Sequence, residues 1–220
     1  MNQKIQKKLL NMDHKYIAIE GNIGSGKTTL ATMLAEDFNL RLILESFADN
    51  PFLPKFYDSP DKHAFPLELF FMAERFHQLK KLNEQDLFQP QMISDYFFVK
   101  SKLFAQNNLQ HDENQLFNRL FDIMFSFLSS PDVLVYLHAN IERLQKNINK
   151  RGRSFEQNIS DLYLQNIQDK YLDYLRKQGD FPVLFFDVTN VDFVAEKSVY
   201  EDIKKCLFRT YKKGFYQFDL

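Results

Sequence analysis

Three of the six glycines in this 220-residue chain lie in the segment GNIGSGKTT, residues 21–29. The segment fits the pattern G-x-x-x-x-G-K-[ST], in which Lys27 and Thr28 follow the last fixed glycine. Missing Cβ atoms let successive backbone N–H groups converge, and the helix that follows adds positive charge at its N-terminus. Lys27 is expected to reach the β- and γ-phosphates of a nucleotide, and Thr28 to help hold Mg²⁺. The pattern predicts a nucleoside triphosphate site formed by Gly21, Asn22, Ile23, Gly24, Ser25, Gly26, Lys27, Thr28 and Thr29.

A phosphate-binding loop identifies a nucleotide but not a reaction. The tetrapeptide motifs of GTPase switches, DxxG and NKxD, do not occur in the sequence. Two classes of protein remain. One is a phosphotransferase that moves a phosphoryl group to an acceptor, and the other couples nucleotide hydrolysis to a conformational change.

Short apolar runs alternate with longer stretches of helical spacing along the chain. Strands are predicted at Tyr16–Glu20, Leu40–Glu45, Met92–Asp95, Val133–Leu137 and Val183–Asp187. Helices are predicted at Thr28–Phe38, Phe65–Leu82, Glu113–Leu128, Ile141–Lys150, Phe155–Arg176 and Tyr200–Tyr211. This alternation is typical of an α/β fold and predicts a five-stranded parallel sheet with helices on both faces. Because no linker or repeat interrupts it, residues 1–220 are predicted to form one domain.

Acidic residues end several of these strands, namely Glu20, Glu45, Asp95 and Asp187. In an open parallel sheet, ligands bind in the crevice outside the carboxyl ends of the strands. The four acids are therefore predicted to rim one site.

The composition excludes several other classes. Lys and Arg number 28 against 29 Asp and Glu, so no overall basic field favours a nucleic acid, although a local basic pocket would still hold a small anion. The single cysteine, Cys206, cannot form an internal disulfide. The N-terminal residues lack the apolar region of a secretory signal, and no segment reaches the ~20 apolar residues of a membrane span. A cytoplasmic location is expected.

The phosphate loop, Glu45, the aromatic run after it and the segment KRGRSFE together resemble the deoxyribonucleoside kinase family, particularly its bacterial purine branch. The likeness spans roughly residues 16–193, and IEGNIGSGKTT and KRGRSFE are its most specific parts. The resemblance implies a P-loop kinase fold with an arginine lid at about residues 150–156. It also implies ATP and Mg²⁺ as cofactors, a small-molecule deoxynucleoside as the partner, and a homodimer.

The resemblance assigns catalytic roles to three residues. Glu45 matches the general base, which needs to lie within hydrogen-bond reach of the sugar 5′-hydroxyl. Arg151 and Arg153 match the lid arginines, whose guanidinium groups suit phosphate oxygens during transfer. Family members often carry another arginine one helical turn earlier, where this chain has Asn147.

Other matched residues concern the deoxynucleoside. Tyr57 and Glu156 match the residues that bind the sugar 3′-hydroxyl, an arrangement that favours deoxyribose. Glu68 lies where the family usually has a glutamine that contacts the base. An ionised carboxylate only accepts hydrogen bonds, so it suits guanine, whereas a protonated Glu68 would suit adenine. Arg75, two helical turns on, is predicted to donate to purine N7 and to help fix the ionisation of Glu68.

Aromatic stacking on the base is predicted for Phe70 or Phe71 and for Phe98. The segment DVTNVDF, which ends in Asp192 and Phe193, resembles the loop around the adenine of the phosphate donor.

One motif departs from the family pattern. Asp95 matches the acid of a [DE]-R-S motif near Mg²⁺, but here the motif reads Asp95-Tyr96-Phe97, without the arginine. Lys100 is predicted to supply the lost positive charge, although as a point charge it does not copy a bidentate guanidinium.

The sequence thus predicts an ATP- and Mg²⁺-dependent kinase for the 5′-hydroxyl of a purine deoxyribonucleoside, with deoxyadenosine favoured and deoxyguanosine next. A nucleoside monophosphate kinase is the first alternative. Carboxylates disfavour it, because the acceptor side offers Glu45, Glu68 and Glu156 where a phosphate needs arginines. A regulatory protein that hydrolyses ATP slowly is the second alternative.

Overall fold

The computed structural model describes residues 14–46, 50–81 and 91–220. The strands are β1 Tyr16–Gly21, β2 Arg41–Ile43, β3 Met92–Ser94, β4 Val133–His138, β5 Pro182–Asp187 and β6 Gly214–Asp219. The helices are α1 Lys27–Phe38, α2 Leu53–Asp58, α3 Pro60–Lys80, α4 Val99–Asn108, α5 His111–Phe125, α6 Ile141–Arg151, α7 Asp161–Lys177 and α8 Lys197–Leu207, with a 3₁₀ turn at Ser154–Glu156. The predictions for residues 1–13 and for Leu82 lie outside the described residues.

All strands pair in parallel, in the order β2-β3-β1-β4-β5-β6. The α/β prediction is confirmed, but the described sheet has six strands where five were predicted. The missed strand β6 pairs with β5 at the edge of the sheet, with Pro182 opposite Gly214. Its residues GFYQFD include the polar Gln217 and Asp219 and stay partly exposed, so the strand lacks the apolar run of a buried parallel strand.

Alternate residues of the central strands pack on opposite faces of the sheet. On β1, Ile17 and Ile19 belong to the cluster that α1, α6 and α8 cover. Tyr16 and Ala18 belong to the cluster covered by α3, α4, α5 and α7. This period of two follows from the pleat of the strand, and the burial of both faces explains why the central strands are apolar throughout.

Several helix boundaries differ from the predictions. The predicted helix Phe155–Arg176 is divided into the 3₁₀ turn and α7, because the Ser160 side chain accepts a hydrogen bond from Tyr163 N and starts a new helix. Helices α2 and α4 lie where no element was predicted. Helix α3 begins at Pro60 and continues through Pro66, a residue type that usually marks a first turn. No helix of the described part is long and apolar enough to cross a membrane.

The phosphate loop requires glycine at defined positions. Gly21 has a φ of +153°, and a Cβ there would lie 2.5 Å from Ser25 Oγ and 2.6 Å from the Leu137 carbonyl oxygen. Gly26 is the N-cap of α1 with a φ of +93°, and a Cβ there would lie 3.0 Å from Phe193 Cζ. Residues larger than glycine therefore do not fit at Gly21 and Gly26, in the bend between β1 and α1.

We predict that Gly21→Ala lowers the free energy of unfolding by about 2 kcal/mol or more, because the added methyl group meets backbone and cannot be relieved by a side-chain rotation. Chemical denaturation measures the change. Gly179→Ala is the matched control, because nothing lies within 4 Å of a Cβ at that position. Equal stability of the two variants would contradict the steric argument.

Candidate active site

Three side-chain hydrogen bonds hold the phosphate loop in place. Lys27 Nζ donates to the Asn22 carbonyl oxygen at 2.7 Å, which holds the lysine across the loop. Asn22 Nδ2 donates to the Leu164 carbonyl oxygen at 2.8 Å. Asn147, which stands where the family often has an arginine, donates from Nδ2 to the Gly24 carbonyl oxygen at 2.8 Å. Asn147 thus ties α6 to the loop.

Burial, and then repulsion from the neighbouring Lys100, lower the pKa of Lys27 to about 8. The acids Glu20, Glu45 and Asp95 act in the opposite sense and favour the charged ammonium. An approaching phosphate would favour it further, because an added negative charge stabilises a cation in a low-dielectric site.

Glu45 lies just beyond β2 and is held by two cations. Its Oε1 accepts from Arg75 Nε at 2.9 Å and from Nη2 at 2.6 Å. Its Oε2 accepts from Lys100 Nζ at 2.7 Å. The side chains of Arg75 and Lys100 are only 3% and 7% exposed. Burial alone would raise the pKa of Glu45, but Lys100 and Arg75 outweigh it and hold the pKa well below its usual range.

Arg75 was predicted to donate to purine N7 and to help fix the ionisation of Glu68. Its guanidinium binds Glu45 directly and donates to Ser101 Oγ at 2.8 Å. Its effect on Glu68 is electrostatic at longer range. Lys100 does place positive charge on Glu45, as expected where the motif arginine is missing.

Asp95 joins the phosphate loop to Glu45. Thr28 Oγ1 donates to Asp95 Oδ2 at 2.5 Å, and the Glu45 backbone N–H donates to Asp95 Oδ1 at 2.8 Å. A hydroxyl and a carboxylate fit Mg²⁺, which takes few protein oxygens when substrate phosphates complete its shell. Thr28 and Asp95, the two predicted metal ligands, contact each other through their hydrogen bond.

One cavity collects most of the residues predicted to bind the deoxynucleoside, but neither Asp95 nor Phe98 lines it. Those that line it are Glu45, Tyr57, Glu68, Phe71, Arg75, Lys100 and Glu156. Phe104 and Tyr163 also line it, and the sequence predictions missed both. Phe104 lies on α4, one helical turn after Lys100 on the same face, so prediction of that helix would have found it.

Phe98, predicted to stack on the base, is fully buried instead. Its ring stacks on Phe121 at a centroid distance of 4.9 Å and on Phe125 at 6.2 Å. Phe98 and the aromatic residues around it therefore pack in the core beneath α5.

The predicted lid includes the last residues of α6 and the 3₁₀ turn after it. Gly152 ends that helix in the left-handed conformation with a φ of +72°. Arg151 and Arg153 both form ion pairs with Glu156 in the 3₁₀ turn. The two arginines and the acid predicted to bind the sugar thus form one cluster, in which Arg153 and Glu156 line the cavity.

Glu68 is only 2% exposed, and its Oε1 accepts from Asn108 Nδ2 at 2.7 Å. Burial raises the pKa of Glu68 from an ordinary value of 4.5 to about 7, against the opposing effects of Arg75 and Asn108. Two carboxyl groups of one cavity are therefore shifted in opposite directions, Glu45 downward and Glu68 upward.

The segment predicted to surround the donor adenine lies against the phosphate loop. Phe193 is buried, and its ring is the group that a Cβ on Gly26 would meet. Asp192 instead accepts from the backbone N–H groups of Val194 and Ala195, so its side chain shapes the loop.

Of the four strand-end acids, Glu45 lines the cavity, whereas Glu20, Asp95 and Asp187 do not. Glu20 is buried on the α7 side, where it accepts from Phe97 N at 2.6 Å and from Tyr171 Oη at 2.8 Å. Asp187 accepts from Thr189 N at 2.9 Å in the turn after β5. The four acids therefore do not share one cavity, although Glu20 acts electrostatically on Lys27 of the phosphate loop.

Comparison with known proteins decides the class of enzyme. The model of the deoxynucleoside kinase family matches residues 17–210. The chain belongs to the deoxynucleoside kinase family. It is therefore a phosphotransferase that acts on an alcohol group, and the family resemblance drawn from the sequence is confirmed.

Curated relatives differ in the nucleoside that they are named for. Deoxyguanosine kinase of Bacillus subtilis (strain 168) is 36% identical over 193 residues, which cover 86% of this chain and 93% of that protein. Deoxyadenosine/deoxycytidine kinase of the same organism is 28% identical, with 85% and 88% covered. Deoxyadenosine kinase of Dictyostelium discoideum is 34% identical, with 78% and 70% covered.

Solved structures share the fold. Deoxyadenosine kinase from M. mycoides, with the products dCMP and a flexible dCDP bound, superposes with a TM-score of 0.74 at 23% identity. The match covers 87% of this chain and 99% of that chain. The same kinase with bound dATP gives a TM-score of 0.73 at 22% identity.

We predict that Lys100→Ala lowers kcat/KM for deoxynucleoside phosphorylation by about 10- to 100-fold, because Glu45 loses one of its two cations next to the phosphate loop. Coupled ADP detection measures the rate. Lys102→Ala is the matched control, because Lys102 is more exposed and pairs with Asp122, away from the cavity. A change of less than twofold in Lys100→Ala would contradict a catalytic role for this lysine.

Proposed function

We propose that the protein transfers the γ-phosphate of ATP to the 5′-hydroxyl of a purine deoxyribonucleoside. Deoxyguanosine is the first candidate and deoxyadenosine the second. The observation that carries this proposal is the position of Glu45, which lines the acceptor cavity and touches Asp95, the partner of Thr28 in the phosphate loop. An acceptor hydroxyl at Glu45 would thus lie close to the terminal phosphate of a nucleotide on that loop.

Glu45 acts as an ionised hydrogen-bond acceptor for the 5′-hydroxyl. Its pKa is held low by Lys100 and Arg75 against the effect of burial, so it is a weak base. A weak base suffices when the transition state is loose, because the hydroxyl becomes acidic only as its bond to phosphorus forms. Glu45 then orients the nucleophile and receives the proton late.

Positive groups balance the charge that develops on the phosphoryl group. Lys27 lies across the loop, Arg151 is the last residue of α6, and Arg153 follows that helix. Thr28 and Asp95 are the residues that would hold Mg²⁺, which neutralises charge on the phosphate oxygens when it is bound. Each of these groups acts by electrostatic stabilisation, the main means of catalysis in phosphoryl transfer.

The sugar is assigned to Tyr57 and Glu156, which line the same cavity. A tyrosine hydroxyl and a carboxylate provide a donor and an acceptor for one 3′-hydroxyl. Since Glu156 also binds Arg151 and Arg153, sugar binding and the position of the lid arginines share one carboxylate.

The base is assigned to Glu68 together with the rings of Phe71 and Phe104. An ionised Glu68 accepts from guanine, whose N1–H and N2–H groups are both donors. The relative that is 36% identical over 193 residues is named a deoxyguanosine kinase, which supports the same choice. This reverses the order favoured from the sequence. Deoxyadenosine stays the second candidate because a carboxyl group with a pKa of about 7 is half protonated near neutral pH.

A homodimer is proposed for the exposed apolar face of α5. Leu116 and Ile123 are 50% and 61% exposed, and their spacing of seven residues places them on one side of the helix. Phe127, just after the end of α5, is 62% exposed. A second copy of the chain would cover this face. The expected cytoplasmic location remains a prediction.

Ile123→Lys is expected to convert the dimer to a monomer, because it introduces a charge into the apolar interface. Light scattering after gel filtration measures the mass. The matched control is Leu162→Lys, since Leu162 is 70% exposed but lies on α7. A dimer that persists in Ile123→Lys would contradict the use of this face.

The activity itself is tested by ADP formation from ATP with the four deoxynucleosides and their ribose counterparts. We expect turnover with the purine deoxynucleosides, weaker turnover with the ribonucleosides, and a loss of 100-fold or more in Glu45→Gln. Glu36→Gln, an exposed acid on α1, is the control. Preferred turnover of pyrimidine nucleosides, or full activity of Glu45→Gln, would contradict the proposal.

A further inference from the structure

Asn108 ends α4 and contacts Glu68 inside the molecule. Its Nδ2 donates to Glu68 Oε1 at 2.7 Å and to Tyr163 Oη at 3.2 Å. Its Oδ1 accepts from Asn107 Nδ2 at 3.1 Å. Both ends of the Asn108 amide are thus engaged, and its nitrogen is directed at the carboxyl group.

The second oxygen of Glu68 has no such partner. Glu68 Oε2 is buried, and within the described residues it makes no hydrogen bond. A buried carboxylate oxygen without a donor is costly, so a donor brought by a ligand is strongly favoured there. Because Glu68 lines the acceptor cavity, the base of a bound nucleoside is the group that can supply it.

We propose that Asn108 is a specificity-determining residue that acts through Glu68. By donating to Oε1, it stabilises the ionised carboxylate and leaves Oε2 as an acceptor for guanine. Loss of this donation favours the protonated acid, which donates to N1 of adenine. The inference rests on the proposed function and extends it. The choice between the two purines then depends on pH and on Asn108, a neutral residue outside the motifs described above.

Charged and titratable groups from several elements surround Glu68. Those that line the cavity with it are Glu45, Tyr57, Arg75, Lys100, Arg153, Glu156 and Tyr163. Burial favours the protonated acid most strongly and Glu45 adds to it, whereas Arg75, Asn108 and Lys100 favour the carboxylate. Since Arg75 and Lys100 both bind Glu45 directly, Asn108 is the hydrogen-bond donor that acts on Glu68 itself.

These opposing effects bring the pKa of Glu68 to about 7. Raising the pH through this value ionises Glu68 and favours guanine, and lowering it favours adenine. Removing the Asn108 donor raises the pKa further, so that more of the protein is in the adenine-selecting form at neutral pH.

The test is the ratio of kcat/KM for deoxyguanosine to that for deoxyadenosine between pH 6 and 8.5. In the unmodified protein we expect the ratio to rise by up to tenfold per pH unit near pH 7. In Asn108→Leu the rise should move to higher pH, which lowers the ratio at pH 7.5 by roughly five- to tenfold. In Glu68→Gln the ratio should not vary with pH.

A second variant tests whether the effect of Asn108→Leu arises from a loss of folding. Asn108→Asp keeps the size of the side chain but replaces the donor with an acceptor, so it should shift the ratio in the same direction as Asn108→Leu. Asn166→Leu, an exposed residue on α7 that does not contact Glu68, should leave the ratio and its pH dependence unchanged.

A direct measurement uses the ¹³C chemical shift of the Glu68 carboxyl group in the ligand-free protein. Its titration midpoint should lie near 7 in the unmodified protein and higher in both Asn108 variants.

The outcomes separate the two proposals. If the unmodified protein phosphorylates neither purine deoxynucleoside, the proposed function fails, and the role of Asn108 in selectivity fails with it. If it phosphorylates them with a ratio that does not change with pH, or if both Asn108 variants reproduce the unmodified ratio and midpoint, the role of Asn108 is overturned and the kinase assignment stands.

Discussion

The arrangement of the active site depends on a partly buried carboxylate that is shared by two buried cations. Glu45 binds Arg75 of α3 and Lys100 of α4, so one side chain joins both helices to the segment after β2. Removing charges from water is costly, and each cation here is tolerated because the carboxylate pairs with it. The interaction therefore stabilises the acceptor cavity and at the same time keeps the proposed base ionised.

The same group is connected to the phosphate loop through Asp95 and Thr28. Glu20, a buried residue of β1, favours the charged form of Lys27, and burial raises the pKa of Glu20 itself against the attraction of Lys100 and Lys27. The cations near the phosphate loop thus lie beside acidic side chains that compensate their charge. Such a network lets cations be buried near a polyanion site without unfolding the strands that carry them.

The direct binding partners of Glu45 and Glu68 explain why two carboxyl groups of one cavity differ in pKa. Glu45 binds Arg75 and Lys100 directly, whereas among the described residues Glu68 accepts a hydrogen bond from the neutral amide of Asn108 alone. Burial acts to raise the pKa of both groups, and the difference in direct partners moves the two pKa values apart. The low value suits a group that orients a hydroxyl, and the value near 7 suits a group whose protonation selects a base.

Local patterns in the sequence determined the phosphate loop, the parallel α/β order and Glu45 as an acid at the end of a strand, because short spacings fix which residues follow each strand. The family resemblance, rather than spacing, pointed to Tyr57, Glu68 and Glu156 as residues of the acceptor site. The tertiary structure alone decided the edge strand β6, the place of Phe104 rather than Phe98 at the cavity, and the partner of Arg75. Asn108 lies 40 residues from Glu68 in the chain. Such contacts depend on how helices pack together, and a spacing within one helix cannot specify them.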